Sequence, residues 1–252
     1  MNLAVIQARM GSSRLPGKIL KPIGSLTSIE LVVSRVRSAR SVDKVVVATS
    51  TEASDDPLVN FCEERNFEVF RGSEQDVYTR FAGVANKYLP TNLLRITADC
   101  PFSDPGLIDE LWVIFKEKNL DYASVATGAG FARSIEKRFP DGFDAEWVKA
   151  SVLHDISSLI QLERDREHVT SFIWSHPDQF KLGHLFSKLD YSDIRVTLDT
   201  ELDLVFIRKI AEILGDNVTS ASFNDVIDVV LKKLELEQSM LTPEPYNEFY
   251  GQ

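Results

Sequence analysis

The segment Gln7–Lys18, QARMGSSRLPGK, gathers the residue types that handle phosphate. It contains Gly11 and Gly17, Ser12 and Ser13, and the cations Arg9, Arg14 and Lys18. Glycine lets the backbone approach a ligand closely, so that N–H groups can face phosphate oxygens. Arginine adds a rigid fork of donors, and lysine adds a mobile point charge. That combination suits a triphosphate. Two common phosphate loops do not fit. The ATPase loop needs four residues between its glycines and then Lys-Ser/Thr, whereas here five residues separate Gly11 from Gly17 and Lys18 is followed by Ile19. The dinucleotide fingerprint G-x-G-x-x-G is absent as well.

The elements around this loop follow from hydrophobic periodicity. LAVIQA (3–8) reads as a buried strand entering the loop, and Ile29, Val32, Val33 and Val36 form one helical face after it. Further strands are expected at 44–50, 68–73, 93–99 and 121–127, with helices near 56–66 and 75–88 between them. Asp104-Pro105 opens another helix, whose apolar face carries Ile108, Leu111, Trp112 and Phe115. Such alternation implies an α/β fold, a mostly parallel sheet flanked by helices, with ligands outside the carboxyl ends of the strands. Between about 128 and 192 the pattern loosens and reads as an inserted subdomain. Alternation returns with a strand at 193–199, a helix bearing Phe206 and Ile210, and a last helix opened by Ser222 and Asp225. Residues 1–237 therefore read as a single domain and 238–252 as a tail.

Composition narrows the partners. The 252 residues carry 28 Lys+Arg against 38 Asp+Glu, a net charge of −10, which argues against a nucleic-acid duplex as partner. The charge is uneven: the first acidic residue is Glu30, and Arg9, Arg14, Lys18 and Lys21 all precede it. Two cysteines, Cys62 and Cys100, exclude a disulfide scaffold and read as free thiols in a reducing compartment. No apolar run is long enough for a signal sequence or a membrane span, so a cytoplasmic protein without a membrane partner is expected.

The loop QARMGSSRLPGK resembles the cytidylyltransferase family that activates acidic sugars, in particular its spore coat polysaccharide branch. The relatives include the synthetases of CMP-linked keto-deoxy-octonate and CMP-sialic acid. Further blocks match that branch in order: VVVATS (45–50), FRGSEQDVYTRF (70–81), RITADCPFSDP (95–105), PDGFDAEW (140–147), REHVT (166–170) and RVTLDTELD (195–203). Together they span nearly the whole chain up to about residue 215. The resemblance implies a Rossmann-like nucleotide-diphospho-sugar-transferase fold with an inserted acceptor-binding and dimerisation subdomain. It also implies the reaction of CTP with an acidic sugar to give CMP-sugar and pyrophosphate, in a homodimer. Carried over by motif, Gln7, Arg9, Gly11, Ser13, Arg14 and Lys18 hold the nucleotide, with Arg80 near the base. Asp99 and Asp199 hold Mg2+, and Arg14, Lys18 and Asp99 carry the catalysis. Two positions depart from the pattern: Ala98 stands where the branch usually has Gly, and Glu201 where relatives often have Pro.

The chemistry is coherent. Attack of a sugar hydroxyl on the α-phosphorus loads charge onto phosphoryl oxygens and pyrophosphate, so catalysis is positioning and electrostatics. Mg2+ takes one or two carboxylates and fills its octahedron with phosphate and water. The acceptor is expected in the 128–192 region. Arg133, Lys137, Arg138 and Arg166 are the cations available there for a sugar carboxylate. Asp141, Asp144, Glu146, Glu167 and His168 are the candidates to hydrogen-bond sugar hydroxyls or to position the attacking hydroxyl. Plainer readings exist for each residue: Asp199 as a helix N-cap, Asp99 as a turn aspartate, Arg166–His168 as a charged helix start. Cys100 reads as a small buried thiol rather than a nucleophile. Two other functions compete: a glycosyltransferase, which would release a nucleotide rather than pyrophosphate, and a non-catalytic nucleotide-binding subunit. No D-x-D motif stands at a strand end to favour the first.

Overall fold

A computed structural model describes residues 1–127 and 137–232. Arg133 and the tail 238–252 lie outside the described residues. In chain order the elements are β1 (Asn2–Gln7), the small hairpin β2 (Pro22–Ile23) and β3 (Leu26–Thr27), α1 (Ser28–Arg37), β4 (Lys44–Ser50), α2 (Asp56–Glu64), β5 (Glu68–Gly72), α3 (Val77–Tyr88) and β6 (Asn92–Thr97). There follow α4 (Pro105–Glu117), β7 (Tyr122–Val125), β8 (Glu146–Lys149), α5 (Ala150–Asp155), α6 (Glu163–Glu167), α7 (Ser171–Trp174), β9 (Leu182–Leu185), α8 (Glu201–Leu214) and α9 (Phe223–Lys232).

The main sheet has seven strands in the order β5-β4-β1-β6-β8-β7-β9. Every neighbouring pair is parallel except those made by β8, which is antiparallel to both β6 and β7. Side chains of β1 alternate between two apolar layers. Ala4 and Ile6 pack with α1, α4, α8 and α9 on one face, and Leu3 and Val5 pack with α3 and α5 on the other. This is why the first strand is apolar throughout.

Two sequence expectations change. The stretch 128–192 contributes β8 and β9 to the sheet itself. Residues 193–199 do not form a ladder strand; they run extended and make one isolated parallel bridge, Asp141 with Arg195. The helix signals stand. Asp104 accepts from Leu107 N–H (2.7 Å) to cap α4, and its other oxygen accepts from Phe223 N–H at the start of α9. Ser222 and Asp225 form the expected reciprocal pair: Ser222 N–H donates to the Asp225 carboxylate (2.8 Å) and Asp225 N–H donates to the Ser222 hydroxyl (3.3 Å).

Arg35 on α1 is fully buried and donates to the carbonyls of Phe102, Ser103, Val218 and Ala221. Burial pushes its guanidinium down to about 10, against the pull of Asp104. It ties the turn that follows Asp99 to the segment before α9, fixing where that turn can lie.

Candidate active site

The loop begins where β1 ends, with Ala8 N–H on Ala48 C=O (3.1 Å). Gly17 N–H donates to Met10 C=O (3.1 Å), closing residues 10–17 into a ring. Gly17 makes that closure with φ +68, a conformation side chains disfavour. Leu15 is buried and anchors the ring, while Arg9, Gly11, Ser13 and Arg14 stay exposed. A 3-10 turn, Lys18–Leu20, then aims Lys18 inward.

Lys18 Nζ lies 2.9 Å from Asp99 Oδ2 and 2.9 Å from Asp199 Oδ1. Arg14 Nη2 reaches the same Asp199 oxygen at 3.3 Å. Residues separated by most of the chain thus meet at one ammonium. The backbone arranges the meeting: Leu198 N–H donates to Asp99 C=O (2.8 Å), so the extended segment delivers Asp199 directly beside Asp99. The capping reading of Asp199 falls to its neighbour. Thr200 is the N-cap of α8, with Asp203 completing a capping box, and the Asp199 side chain is left to face Lys18. Glu201 sits exposed in the first turn of α8 and pairs with Lys21 (3.3 Å). Ala98 is buried without a positive φ, so the alanine is accommodated there.

Burial would raise the Asp99 carboxyl, yet Lys18 overrides it and holds Asp99 below the usual carboxylate range. Burial likewise lowers Lys18, and the two aspartates overcome that and raise it. The site is therefore a cation between two carboxylates. That donor set, oxygen only and already converging on a positive charge, fits a hard divalent ion. Among the described residues no group of three or more metal-ligating side chains exists, so Asp99 and Asp199 would leave most of a Mg2+ shell to phosphate and water, as Mg2+ prefers.

Two cavities adjoin here. A cleft of about 610 Å³ is lined by Gln7, Arg9, Gly11, Ser13, Arg14 and Lys18 on one side and by Gln75, Val77 and Arg80 on the other. A second cavity of about 180 Å³ is lined by Asp141, Asp144, Glu146, His168 and Thr170, with Arg95. Both include Thr97, Asp99 and Asp199 in their walls.

β8 explains the second cavity. An antiparallel strand begins at the rim where the parallel strands end, so the turn before it, Asp141-Gly142-Phe143-Asp144, overhangs the site. Gly142 adopts φ +108, and a Cβ there would lie 2.9 Å from the Val196 backbone. Asp144 accepts from Gly142 N–H (3.0 Å) and from the Thr127 hydroxyl. Burial, together with neighbouring carboxylates, raises the carboxyls of Asp141 and Asp144. Glu146 is held by Arg95 (2.8 Å), the Tyr122 hydroxyl (2.8 Å) and the Thr170 hydroxyl (3.1 Å). Burial lowers His168, and the nearby Arg95 adds to the effect.

The other expected residues divide between the cleft wall and positions away from both cavities. Arg166 donates to Asp76 Oδ2 (2.6 Å) and Ile160 C=O (3.1 Å) and lines neither cavity. Glu167 faces the larger cleft rather than the second cavity. Arg80 is buried, and its Nε and Nη2 are spent on the carbonyls of Ser73 and Glu74, which makes it a clamp on that wall. Lys137 is exposed and Arg138 half-buried, and neither lines a cavity. Arg95 is the basic residue that motif reading missed. It looks like one polar residue inside an apolar strand, and only the pairing of Arg95 with Glu146 across β6 and β8 reveals its place. Cys62 and Cys100 are buried free thiols; burial pushes Cys62 up to about 12 and raises Cys100 well above its usual value.

A family model for cytidylyltransferases matches residues 3–214. The chain belongs to the cytidylyltransferase family. It is 36% identical over 221 residues to the spore coat polysaccharide biosynthesis protein SpsF of Bacillus subtilis, covering 85% of this chain and 88% of that protein. It is 34% identical over 106 residues to a 3-deoxy-manno-octulosonate cytidylyltransferase of Syntrophotalea carbinolica, 42% of either chain. Among solved structures, a cytidylyltransferase from Leptospira borgpetersenii superposes with a TM-score of 0.81 at 28% identity, covering 91% of this chain and 93% of that one. A CMP:2-keto-3-deoxy-manno-octonic acid synthetase complexed with CTP superposes with a TM-score of 0.65 at 16% identity, covering 85% and 99%. The fold is thus the Rossmann-like nucleotidyltransferase fold, and this cytidylyltransferase is an enzyme that transfers a nucleotidyl group.

Proposed function

We propose that the protein transfers CMP from CTP to an acidic sugar and releases pyrophosphate, supplying an activated sugar for a surface polysaccharide. The observation that carries this reading is the junction of the two cavities at Asp99 and Asp199, beside Lys18. A triphosphate in the larger cleft lies against Arg9, Arg14 and Lys18, and an acceptor in the second cavity reaches the same junction from the other side. The acceptor hydroxyl gives up its proton to solvent and forms the new O–P bond at the α-phosphorus, while the bond from that phosphorus to the bridging oxygen of the β-phosphate breaks and its electron pair leaves with pyrophosphate.

Arg14 and Lys18 offset charge on the phosphates as it develops. Mg2+ held by Asp99 and Asp199 supplies further positive charge at the phosphates when bound. Asp141, Asp144 and His168 bond acceptor hydroxyls, and Arg95 is the arginine in that cavity's wall suited to a sugar carboxylate. The curated relatives named for spore coat polysaccharide and for a keto sugar acid support this substrate class.

The test is product analysis with CTP, Mg2+ and a panel of sugar acids that includes 3-deoxy-manno-octulosonate. Pyrophosphate together with a CMP-sugar is the expected outcome. Release of free nucleotide from a sugar nucleotide would instead make it a glycosyltransferase, and full activity in Asp99→Asn would remove the metal assignment.

A further inference from the structure

Asp55 belongs to no motif in the loop, yet the loop hangs from it. The residue is 2% exposed. Oδ1 accepts from Met10 N–H (2.7 Å), and Oδ2 accepts from Thr49 Oγ1 (2.9 Å), Ser50 N–H (3.1 Å) and the Ser50 hydroxyl. Burial would raise this carboxyl, and those donors outweigh it and hold Asp55 ionised. Met10 is also the residue whose carbonyl receives Gly17 N–H. Its two backbone polar groups are therefore the two pins of the ring. One fastens it to the end of β4, and the other fastens it to its own far end.

Asp55 also attracts Arg80, which clamps Ser73 and Glu74 on the opposite wall of the cleft. A neutral amide could not replace the carboxylate. Each oxygen takes a backbone N–H, and either orientation of Asn would turn its NH2 group against one of them.

We propose that Asp55 is a positioning residue for the triphosphate: through Met10 it holds the loop in the form that binds a nucleoside triphosphate. This rests on the reading that the loop Arg9–Lys18 binds the triphosphate of CTP.

Calorimetric titration of CTP with Mg2+ into the wild type, Asp55→Ala and Thr49→Val tests it. Thr49→Val removes a hydrogen bond to the same carboxylate but leaves Met10 held. The expected result is a Kd raised on the order of tenfold in Asp55→Ala at unchanged stoichiometry, because Met10 N–H is left unpaired. Thr49→Val should lower the Tm while keeping its Kd within about twofold of wild type, since Met10 is untouched. A wild-type Kd in Asp55→Ala, or equal weakening in both variants, overturns the proposal. Should Asp55→Ala not fold, amide exchange in the wild type decides: protection of Met10 N–H is expected, and exchange as fast as at exposed Gly11 overturns it. Absence of CTP binding by the wild type would instead overturn the loop reading itself.

Discussion

Lys18 spends one ammonium on two carboxylates, at 2.9 Å each. Removing it leaves Asp99 and Asp199 facing each other, with Arg14 and Arg195 among the described residues to answer Asp199. Lys18→Met is therefore expected to lower the rate of pyrophosphate release from CTP by roughly 10²–10³-fold, the range seen when one charge-stabilising donor is removed. The same pairing makes stability depend on pH. Asp99 is held below its ordinary 3.8, so its contribution is present above that value and is lost as pH falls through the lower folded value. Lys18 is held above 10.5, so its contribution is present below that value and is lost as pH rises through the higher folded one. Melting curves across pH should show Asp99→Asn less stable than wild type at neutral pH, with the gap closing in acid below 3.8. A gap independent of pH would mean that the ion pair is not its source.

At the scale of elements, the turn before β8 leaves no room for a single added methyl group. Gly142→Ala places a Cβ 2.9 Å from the Val196 backbone at φ +108. The expected cost is on the order of 1–3 kcal/mol, read as a lower Tm. Activity should fall further than stability, because Asp141 and Asp144 flank the strained residue. Thr200→Ala should cost about 1 kcal/mol by loss of the α8 cap, and unchanged melting would show that the Thr200–Asp203 box is not holding the helix start.

Legibility differed by element for physical reasons. Strands β1, β4, β6 and β7 were readable because they are buried almost throughout, and the capped helices α4 and α9 because Asp104 and Ser222 stand where caps must. β8 was hidden: four residues, Glu-Trp-Val-Lys, half polar, carry no period. The 193–199 run read as a strand because Ile194, Val196 and Leu198 alternate with polar residues, yet it is used as a delivery arm for Asp199. The triad Lys18, Asp99 and Asp199 could be read from motifs. Asp55, Arg35 and Arg95 could not, since nothing local marks a charged residue whose partners lie in distant segments.

For the whole molecule, the net charge of −10 sits beside a loop that precedes every acidic residue and carries three cations. An anionic ligand at this loop would therefore meet a local field opposed to the overall one. The junction adds a competition. Lys18 occupies the space between the carboxylates that a divalent ion would need, so ion binding must release the lysine, and a released lysine is free for phosphate. CTP and Mg2+ should then raise the Tm together by more than the sum of their separate effects, because each removes a cost from the other. Lys18→Met breaks that linkage in a definite direction. With the lysine gone, Asp99 is left without its cation, so Mg2+ alone should stabilise the variant more than it stabilises the wild type. The gain from adding CTP on top of Mg2+ should shrink. Thermal shifts of both proteins with Mg2+, CTP and the two combined measure all of these quantities. A wild-type Mg2+ shift equal to or larger than that of Lys18→Met would mean that the lysine and the ion do not share the aspartates.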